Sequence, residues 1–258
     1  MKVVIFAGGF GTRISEESVF KPKPMIEIGG KPILWHIMKY YSSFGYNDFI
    51  ILSGYKQEII KQYFKNYFLN HADITFDFAD NSKPTIHANT CENWKVTILD
   101  TGLNTMTGGR LKRAQKHIGN ERFMLTYGDG LSNVNLDELL KQHEASGAKV
   151  TLTACHPEPR FGELKIDDQN VIKSFKEKPK QTAQWVNAGF FVCEPTVFDY
   201  IADDTMPWED EPLKTLAQEG KLYAYRHEGF WKPMDTLKDK TTLESIYKEG
   251  KAPWVVWN

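Results

Sequence analysis

A glycine-rich stretch near the start of the chain carries groups that could bind phosphate. Gly8-Gly9-Phe10-Gly11 directly follows an apolar run, and Arg13 and Lys23 come soon afterwards. Glycine allows tight turns and a close approach of the backbone to a ligand. A strand that opens into such a loop presents several backbone N–H groups to an anion. With two cations beside it, the loop predicts a site for a nucleoside triphosphate whose phosphates are cut or transferred.

The loop differs from the two common glycine motifs. No G-x-x-x-x-G-K-[ST] string occurs, because Gly29-Gly30-Lys31 is followed by Pro32. Gly9-Phe10-Gly11 begins a dinucleotide fingerprint, but Ile14 occupies its last position, where a large side chain would obstruct helix–strand packing. On these residues alone, two alternatives remain. The glycine loop could be an ordinary turn, and Lys21-Pro22-Lys23-Pro24 could be a solvated extended segment.

Six further motifs follow the glycine loop and the Lys-Pro-Lys-Pro-Met run in order. They are Glu27-Ile28-Gly29-Gly30-Lys31-Pro32-Ile33, Asp100-Thr101-Gly102, Tyr127-Gly128-Asp129-Gly130, Glu177-Lys178-Pro179, Asn187-Ala188-Gly189-Phe190-Phe191 and Trp231-Lys232-Pro233-Met234-Asp235-Thr236. With them the chain resembles, over essentially its whole length, the sugar-1-phosphate nucleotidyltransferases, and in particular their cytidylyl-transferring group. The resemblance implies CTP and glucose 1-phosphate as substrates.

The implied reaction is attack by an oxygen of a sugar 1-phosphate on the α-phosphorus of a nucleoside triphosphate, which expels pyrophosphate. The nucleophile is already an anionic oxygen, so no serine, cysteine or histidine nucleophile is needed. Catalysis then depends on cations around the transferring group. Three alternatives remain: the same chemistry with another nucleotide or sugar, an inactive nucleotide-binding relative, and a dehydrogenase. The failed fingerprint counts against the dehydrogenase.

Arg13 and Lys23 are the predicted catalytic residues. Lys23, stiffened by flanking prolines, is expected to hold the α-phosphate, and Arg13 can bind the outgoing phosphates bidentately. The predicted nucleotide-binding residues are Phe6, Ala7, Gly8, Gly9, Phe10, Gly11, Thr12, Arg13, Lys23, Thr105 and Arg110. Thr105 and Arg110 come from the segment 100–110, which is rich in hydrogen-bond donors and acceptors and departs from the pattern of thymidylyl and uridylyl relatives.

Two aspartates are the expected Mg²⁺ ligands. Asp129 stands at the end of a predicted strand, where a carboxylate is costly unless it coordinates something, and Asp235 precedes a predicted helix. Mg²⁺ binds through one or two carboxylates together with phosphates and water. The resemblance implies that both aspartates hold the metal, although Asp235-Thr236 could equally be a helix N-cap.

The resemblance also implies a sugar-phosphate site. Its expected residues are Tyr127, Glu177, Lys178, Asn187 and Gly189. Lys178 would bind the sugar phosphate, Glu177 and Asn187 the sugar hydroxyls, and Gly189 would let the backbone approach the sugar. Ordinary polar surface is the alternative for Glu177 and Asn187.

Composition excludes several classes of protein. With 258 residues and a net charge of −1, no global field draws the chain to nucleic acid or an anionic membrane. No apolar run approaches the ~20 residues that span a bilayer. Three widely spaced cysteines indicate a reduced, cytoplasmic protein. A homo-oligomer is expected. For the polar segment 69–93 the resemblance implies a subunit contact or a lid over the nucleotide, and a surface meander is the alternative.

Alternating strand and helix patterns predict the fold class. We expect an α/β, Rossmann-like nucleotidyltransferase fold with a mixed, mostly parallel sheet flanked by helices. Predicted strands are Val3–Phe6, Phe49–Leu52, Val96–Leu99, Phe123–Thr126, Val150–Cys155, Glu163–Ile166, Val171–Phe175 and Phe190–Cys193. Predicted helices are Pro32–Phe44, Gln57–Phe68, Leu111–His117, Pro195–Ala202, Glu211–Glu219 and Thr236–Lys248. No linker interrupts the chain, which predicts one domain over 1–258, with a nucleotide half of about 1–130 and a sugar-phosphate half of about 131–258.

Overall fold

The computed structural model describes residues 1–79, 84–158, 163–176 and 184–257. The strands within them are β1 Lys2–Ala7, β2 Glu27–Ile28, β3 Lys31–Pro32, β4 Asp48–Ser53, β5 Ala72–Thr75, β6 Thr85–Asn89, β7 Lys95–Asp100, β8 Phe123–Tyr127, β9 Gly130–Ser132, β10 Val150–Cys155, β11 Glu163–Ile166, β12 Ile172–Lys176, β13 Val186–Asn187, β14 Phe191–Cys193, β15 Leu222–His227 and β16 Trp231–Pro233. The α-helices are α1 Ser15–Ser18, α2 Ile33–Ser43, α3 Gln57–Asn70, α4 Thr107–Ile118, α5 Leu136–Ser146, α6 Glu211–Gln218 and α7 Leu237–Lys248.

One large sheet takes strands from both halves of the chain. Its order is β13-β10-β14-β8-β1-β4-β7, and β15 pairs with β10. The pairs β8/β1, β1/β4, β4/β7 and β10/β15 are parallel. The strands β13 and β14 run antiparallel to β10, and β14 also runs antiparallel to β8. The expected mixed, mostly parallel sheet is therefore confirmed, and the single domain over 1–258 stays a prediction.

Helices cover both faces of this sheet because its central strands are apolar on both sides. Alternate residues of β1 enter two separate cores. Val3 and Ile5 pack with α2, α5 and α7, and Val4 and Phe6 pack with α4 and α6. Parallel central strands thereby direct their carboxyl ends to one common edge, where ligands bind in sheets of this kind.

The segment 69–93 departs from the expectation of an irregular loop. It contains the antiparallel hairpin β5/β6, in the register Ala72↔Asn89 to Thr75↔Thr85. Thr85-Ile86-His87-Ala88-Asn89 alternates polar and apolar residues, a strand signal that the sequence analysis did not use. All five residues of β6 are nevertheless exposed. The helix predicted over Pro195–Ala202 forms as a 3₁₀-helix over Pro195–Tyr200.

Several elements were missed from the sequence: α1, α5, β2, β3, β5, β6, β9, β13, β15 and β16. The two longest of them are α5 and β15. Helix α5 had a recognisable signal, because the Asn135 side chain accepts from the Glu138 N–H at its N-terminus and Gly147, with φ of 65°, ends it. Strand β15 alternates less clearly, with only Tyr225 and His227 buried. No helix in the described ranges is long and apolar enough to cross a membrane.

Candidate active site

A cleft of about 490 Å³ opens at the carboxyl edge of the parallel strands. Three segments form it, each following a strand of the sheet: the glycine loop after β1, residues 103–107 after β7, and residues 127–129 at the end of β8. Its walls are Phe6, Ala7, Gly8, Gly9, Phe10, Gly11, Thr12, Arg13, Lys23, Pro24, Leu103, Asn104, Thr105, Met106, Thr107, Arg110, Tyr127, Gly128 and Asp129. The structure thus brings all eleven predicted nucleotide-binding residues to one cleft.

The glycine loop leaves backbone donors available to a ligand. Gly11 has φ of 66°, a left-handed conformation that favours glycine, and it leads into a 3₁₀ turn at Thr12–Ile14. Within the described ranges, no protein acceptor is found for the N–H groups of Gly9, Phe10 and Gly11. Unpaired amides beside a cationic side chain suit the oxygens of a phosphate.

Lys23 lies between the two predicted metal ligands. Its Nζ is 2.6 Å from Asp129 Oδ2 and 2.7 Å from Asp235 Oδ1, and its side chain is 10% exposed. Burial alone would lower the pKa of Lys23, but the charge of Asp129 and hydrogen bonds to both carboxylates outweigh it and raise the pKa above its usual value. The ammonium is therefore charged and held at the mouth of the cleft.

A short strand pair brings Asp235 to Asp129. Strand β16 runs antiparallel to β9, with Pro233 opposite Gly130, and the Met234 N–H donates to the Asp129 carbonyl at 2.8 Å. Two aspartates 106 positions apart thereby meet at one lysine. The alternative of an Asp235 N-cap does not hold, because Thr236 caps α7 in a capping box with Asp239.

Arg13 extends this charged cluster toward solvent. Its Nη1 is 2.8 Å from Asp235 Oδ2, and its side chain is 70% exposed. An ion pair this exposed adds little stability. Arg13 can therefore exchange its carboxylate for phosphate oxygens at small cost.

The carboxylate pair matches the donor set of a hard divalent cation. One oxygen from each aspartate lies within hydrogen-bonding distance of the same ammonium, so a positive group is already accommodated between them. Within the described ranges no cluster of three or more histidine, cysteine or acidic side chains occurs that could hold a metal. Two carboxylates completed by phosphate oxygens and water are the set that Mg²⁺ prefers.

Arg110 lies beneath the glycine loop with its guanidinium engaged by the protein. Its Nη1 donates to Ser53 O, Thr101 Oγ1 and Gly102 O, and its Nη2 donates to Gly8 O and Leu103 O, at 2.7–3.2 Å. In the described part of the chain no carboxylate forms an ion pair with it. The side chain therefore ties together the ends of three strands and adds positive charge under the cleft, while its terminal N–H groups are occupied by protein oxygens.

Replacing Gly8 by alanine should disturb this arginine. A Cβ on Gly8 would lie 2.2 Å from Arg110 Nη1, whereas a Cβ on Gly9 would have no atom within 4 Å. We expect Gly8→Ala to lower the free energy of unfolding by about 1–3 kcal/mol, and Gly9→Ala to lower it far less. Urea denaturation of the two variants checks this, and equal losses would contradict the packing argument.

The predicted sugar-phosphate residues of the cleft lie around Tyr127. Its hydroxyl donates to Glu209 Oε1 at 2.8 Å and accepts from Asn187 Nδ2 at 3.2 Å. Gly189, with φ of 79°, lies two residues after Asn187, and a Cβ there would lie 2.9 Å from the Tyr127 ring. Three of the predicted sugar-phosphate residues thus lie together, while Glu177 and Lys178 fall outside the described residues.

The sequence analysis missed Glu209, Ser53 and Thr101 as residues that shape the site. The Thr101 hydroxyl donates to Ser53 O at 2.6 Å and accepts from Arg110. Ser53 ends the buried strand β4 and Thr101 directly follows β7, and a position at the carboxyl end of a parallel strand was a usable signal for both. Glu209 lies in a segment without a phosphate or metal motif, so only the fold reveals its position.

Comparison with known proteins defines the class. A family model described as nucleotidyl transferase matches residues 2–239. The chain belongs to this nucleotidyl transferase family and is an enzyme of the nucleotidyltransferase class. The sheet order and the cleft at its carboxyl edge agree with that class.

Individual relatives show which members of this class the chain resembles. The chain is 54% identical to glucose-1-phosphate cytidylyltransferase of Salmonella typhi over 258 residues, which cover 100% of both chains. It is 46% identical to the probable glucose-1-phosphate cytidylyltransferase of Bacillus subtilis, again over 100% of both chains. The crystal structure of HddC from Yersinia pseudotuberculosis superposes with a TM-score of 0.69 at 23% identity, covering 95% of this chain and 99% of that one. That last likeness supports the Rossmann-like nucleotidyltransferase fold.

Proposed function

We propose that the chain transfers a cytidylyl group from CTP to α-D-glucose 1-phosphate and forms CDP-glucose and pyrophosphate. The observation that carries the proposal is the meeting of Lys23, Arg13, Asp129 and Asp235 at the mouth of a glycine-lined cleft. The full-length likeness to two proteins named for this activity supports the choice of base and sugar.

The proposed reaction makes one P–O bond and breaks one. An oxygen of the sugar phosphate attacks the α-phosphorus of CTP, and the bond from that phosphorus to the oxygen bridging to the β-phosphate breaks, so that pyrophosphate leaves with the electron pair. No proton transfer is needed at the reacting centre. The protein must instead bring two polyanions together and stabilise charge on the transferring group.

The chain's own residues supply most of this stabilisation. The N–H groups of the glycine loop bind the triphosphate, Arg13 holds the outgoing β- and γ-phosphates, and Lys23 turns from its carboxylate partners to the α-phosphate. Asp129 and Asp235 would hold Mg²⁺, which when bound neutralises phosphate charge. Family members generally use a divalent metal, and the two-carboxylate donor set is what favours Mg²⁺ here.

The base is proposed to lie against residues 103–107. Phe10 and Leu103 expose apolar surface in this part of the structure, 44% and 50% respectively, and both line the cleft. Thr105 is almost buried in the same wall. Apolar faces with a few fixed polar groups are typical of nucleotide pockets.

Assembly and location are further parts of the proposal. Phe76 and Phe78 near the β5/β6 hairpin are 53% and 90% exposed. Large exposed apolar side chains in one region are typical of interaction surfaces, which supports a homo-oligomer with the segment 69–93 at a subunit contact. The cysteines at positions 91, 155 and 193 are free thiols, in keeping with an enzyme of the reducing cytoplasm.

Pyrophosphate release across a panel of CTP, UTP, GTP, ATP and dTTP with glucose 1-phosphate tests the function. We expect release only when nucleotide, sugar phosphate and Mg²⁺ are all present, with CTP among the best nucleotides. Omission of the sugar phosphate is the control for simple hydrolysis. If dTTP or GTP reacted and CTP did not, the cytidylyl assignment would be wrong and the class would stand. If no nucleotide reacted, an inactive nucleotide-binding relative would be favoured.

A further inference from the structure

One carboxylate bridges the nucleotide side and the sugar side of the cleft. Glu209 accepts from the Tyr127 hydroxyl through Oε1 at 2.8 Å and from the Thr107 hydroxyl through Oε2 at 2.5 Å. Thr107 begins α4 and lines the cleft beside the predicted base-binding segment. Tyr127 ends β8 and contacts Asn187. Glu209 therefore connects the start of α4, on one side of the cleft, with the end of β8 on the other.

The backbone that carries Glu209 is held rigidly. Trp208 is 0% exposed, and its N–H donates to Thr107 Oγ1 at 2.8 Å. Met106 N–H donates to Asp204 O at 2.8 Å, and Gly109 N–H donates to Met206 O at 3.3 Å. A Cβ on Gly108 would lie 2.5 Å from Met206 O, so the two segments are in close contact. Although the Glu209 side chain is exposed, the backbone from which it extends is held in place by these buried contacts.

Glu209 fixes the direction of the hydrogen bonds made by the Tyr127 hydroxyl. A carboxylate only accepts, so the Tyr127 hydroxyl proton must be directed to it. The Tyr127 oxygen then accepts from Asn187 Nδ2, while Asn187 Oδ1 accepts from the Gly189 N–H at 2.9 Å. In the described part of the chain no protein acceptor is found for the second Nδ2 hydrogen of Asn187. That hydrogen remains available to an oxygen of a ligand.

We propose that Glu209 is a positioning residue that orients Tyr127 and Asn187 toward the hydroxyl groups of the sugar phosphate and couples them to the nucleotide wall through Thr107. The proposal rests on the proposed function, because it concerns the same cleft. Glu209 acts through its neighbours and is not assigned contact with the reacting atoms. Without it, the Tyr127 hydroxyl can donate elsewhere and Asn187 loses a fixed acceptor.

The first test is Glu209→Ala, studied by steady-state kinetics and by calorimetric titration with glucose 1-phosphate. We expect the KM and the dissociation constant for glucose 1-phosphate to rise roughly 5- to 20-fold, the effect of losing a partly exposed charged hydrogen-bond acceptor. The kcat at saturation should change less than the KM. Glu209→Gln should restore most of the affinity, because its carbonyl oxygen can still accept from Tyr127. Glu121 is exposed and forms no hydrogen bond or ion pair with another residue of the described ranges, so Glu121→Ala should leave these constants unchanged.

A double-mutant cycle with Tyr127→Phe separates positioning from general stability. Since Glu209 acts through the Tyr127 hydroxyl, the Glu209→Ala substitution should have little further effect on affinity in the Tyr127→Phe background. Additive losses, or a lower melting temperature with unchanged affinity, would overturn the inference. If the parent protein neither bound nor used glucose 1-phosphate, the proposed function would fail and the inference with it. If the parent bound the sugar phosphate but did not use CTP, only the proposed function would fail.

Discussion

Lys23→Ala should lower kcat by roughly 10²–10³, as expected when one fixed donor to a transition-state charge is removed. Lys23 lies at the mouth of the cleft, and its ammonium is within 2.7 Å of both Asp129 and Asp235. In the proposed reaction it leaves these partners for the α-phosphate, where charge increases in the transition state. The KM for CTP should change much less, because Arg13 and the loop amides still bind the ground state. Initial rates of pyrophosphate release over a range of CTP concentrations measure both constants.

Lys21→Ala is the matched control for this variant. Lys21 is a lysine of the same Lys-Pro-Lys-Pro run, but its Nζ pairs with Glu27 at 2.8 Å, outside the cleft. Its kinetic constants should stay close to those of the parent. If Lys23→Ala kept near-normal kcat while folding normally, Lys23 would not be catalytic, and its buried ion pairs would be purely structural.

Asp129→Asn and Asp235→Asn should each reduce turnover by roughly 10²–10³ and raise the Mg²⁺ concentration needed for half activity. An amide keeps the shape of the side chain but loses the charge that a hard cation prefers, and a bound metal contributes several kcal/mol of transition-state stabilisation. If both aspartates hold one ion, the double variant should be scarcely slower than the poorer single variant. Losses that multiply would argue against a shared ion.

The single and double aspartate variants should differ in their stability. Each single variant leaves Lys23 with one carboxylate, so its melting temperature should fall modestly. The double variant leaves an ammonium that is 10% exposed without a counter-charge, which should cost about 3–5 kcal/mol. Asp137→Asn, on the exposed first turn of α5, is the control and should change neither activity nor Mg²⁺ dependence. A catalytic loss at Asp235 that was matched by a large fall in its single-variant stability would favour a structural role instead.

The central fold was predictable because its strands are short, apolar and separated by amphipathic helices. Alternation of these elements leaves few topologies other than a mostly parallel sheet. The hairpin β5/β6 lies outside the main core, and β6 exposes every side chain. The alternation of polar and apolar residues in Thr85–Asn89 was a sequence signal for it, and the sequence analysis did not use it. Strand β15 was missed because it lies at the edge of the sheet and buries few residues.

The sequence by itself determined which residue types were available for chemistry: a glycine loop after a buried strand, a lysine between prolines, and aspartates in ordered motifs. Local spacing can indicate such groups because the loop and its strand are adjacent in the chain. Only the tertiary structure decided which distant groups meet. Pairing of β16 with β9 places Asp235 beside Asp129 and Lys23. Packing of residues 204–209 against α4 places Glu209 between Thr107 and Tyr127. These contacts join positions about 80 to 210 residues apart and depend on strand register and core packing, which no local pattern encodes.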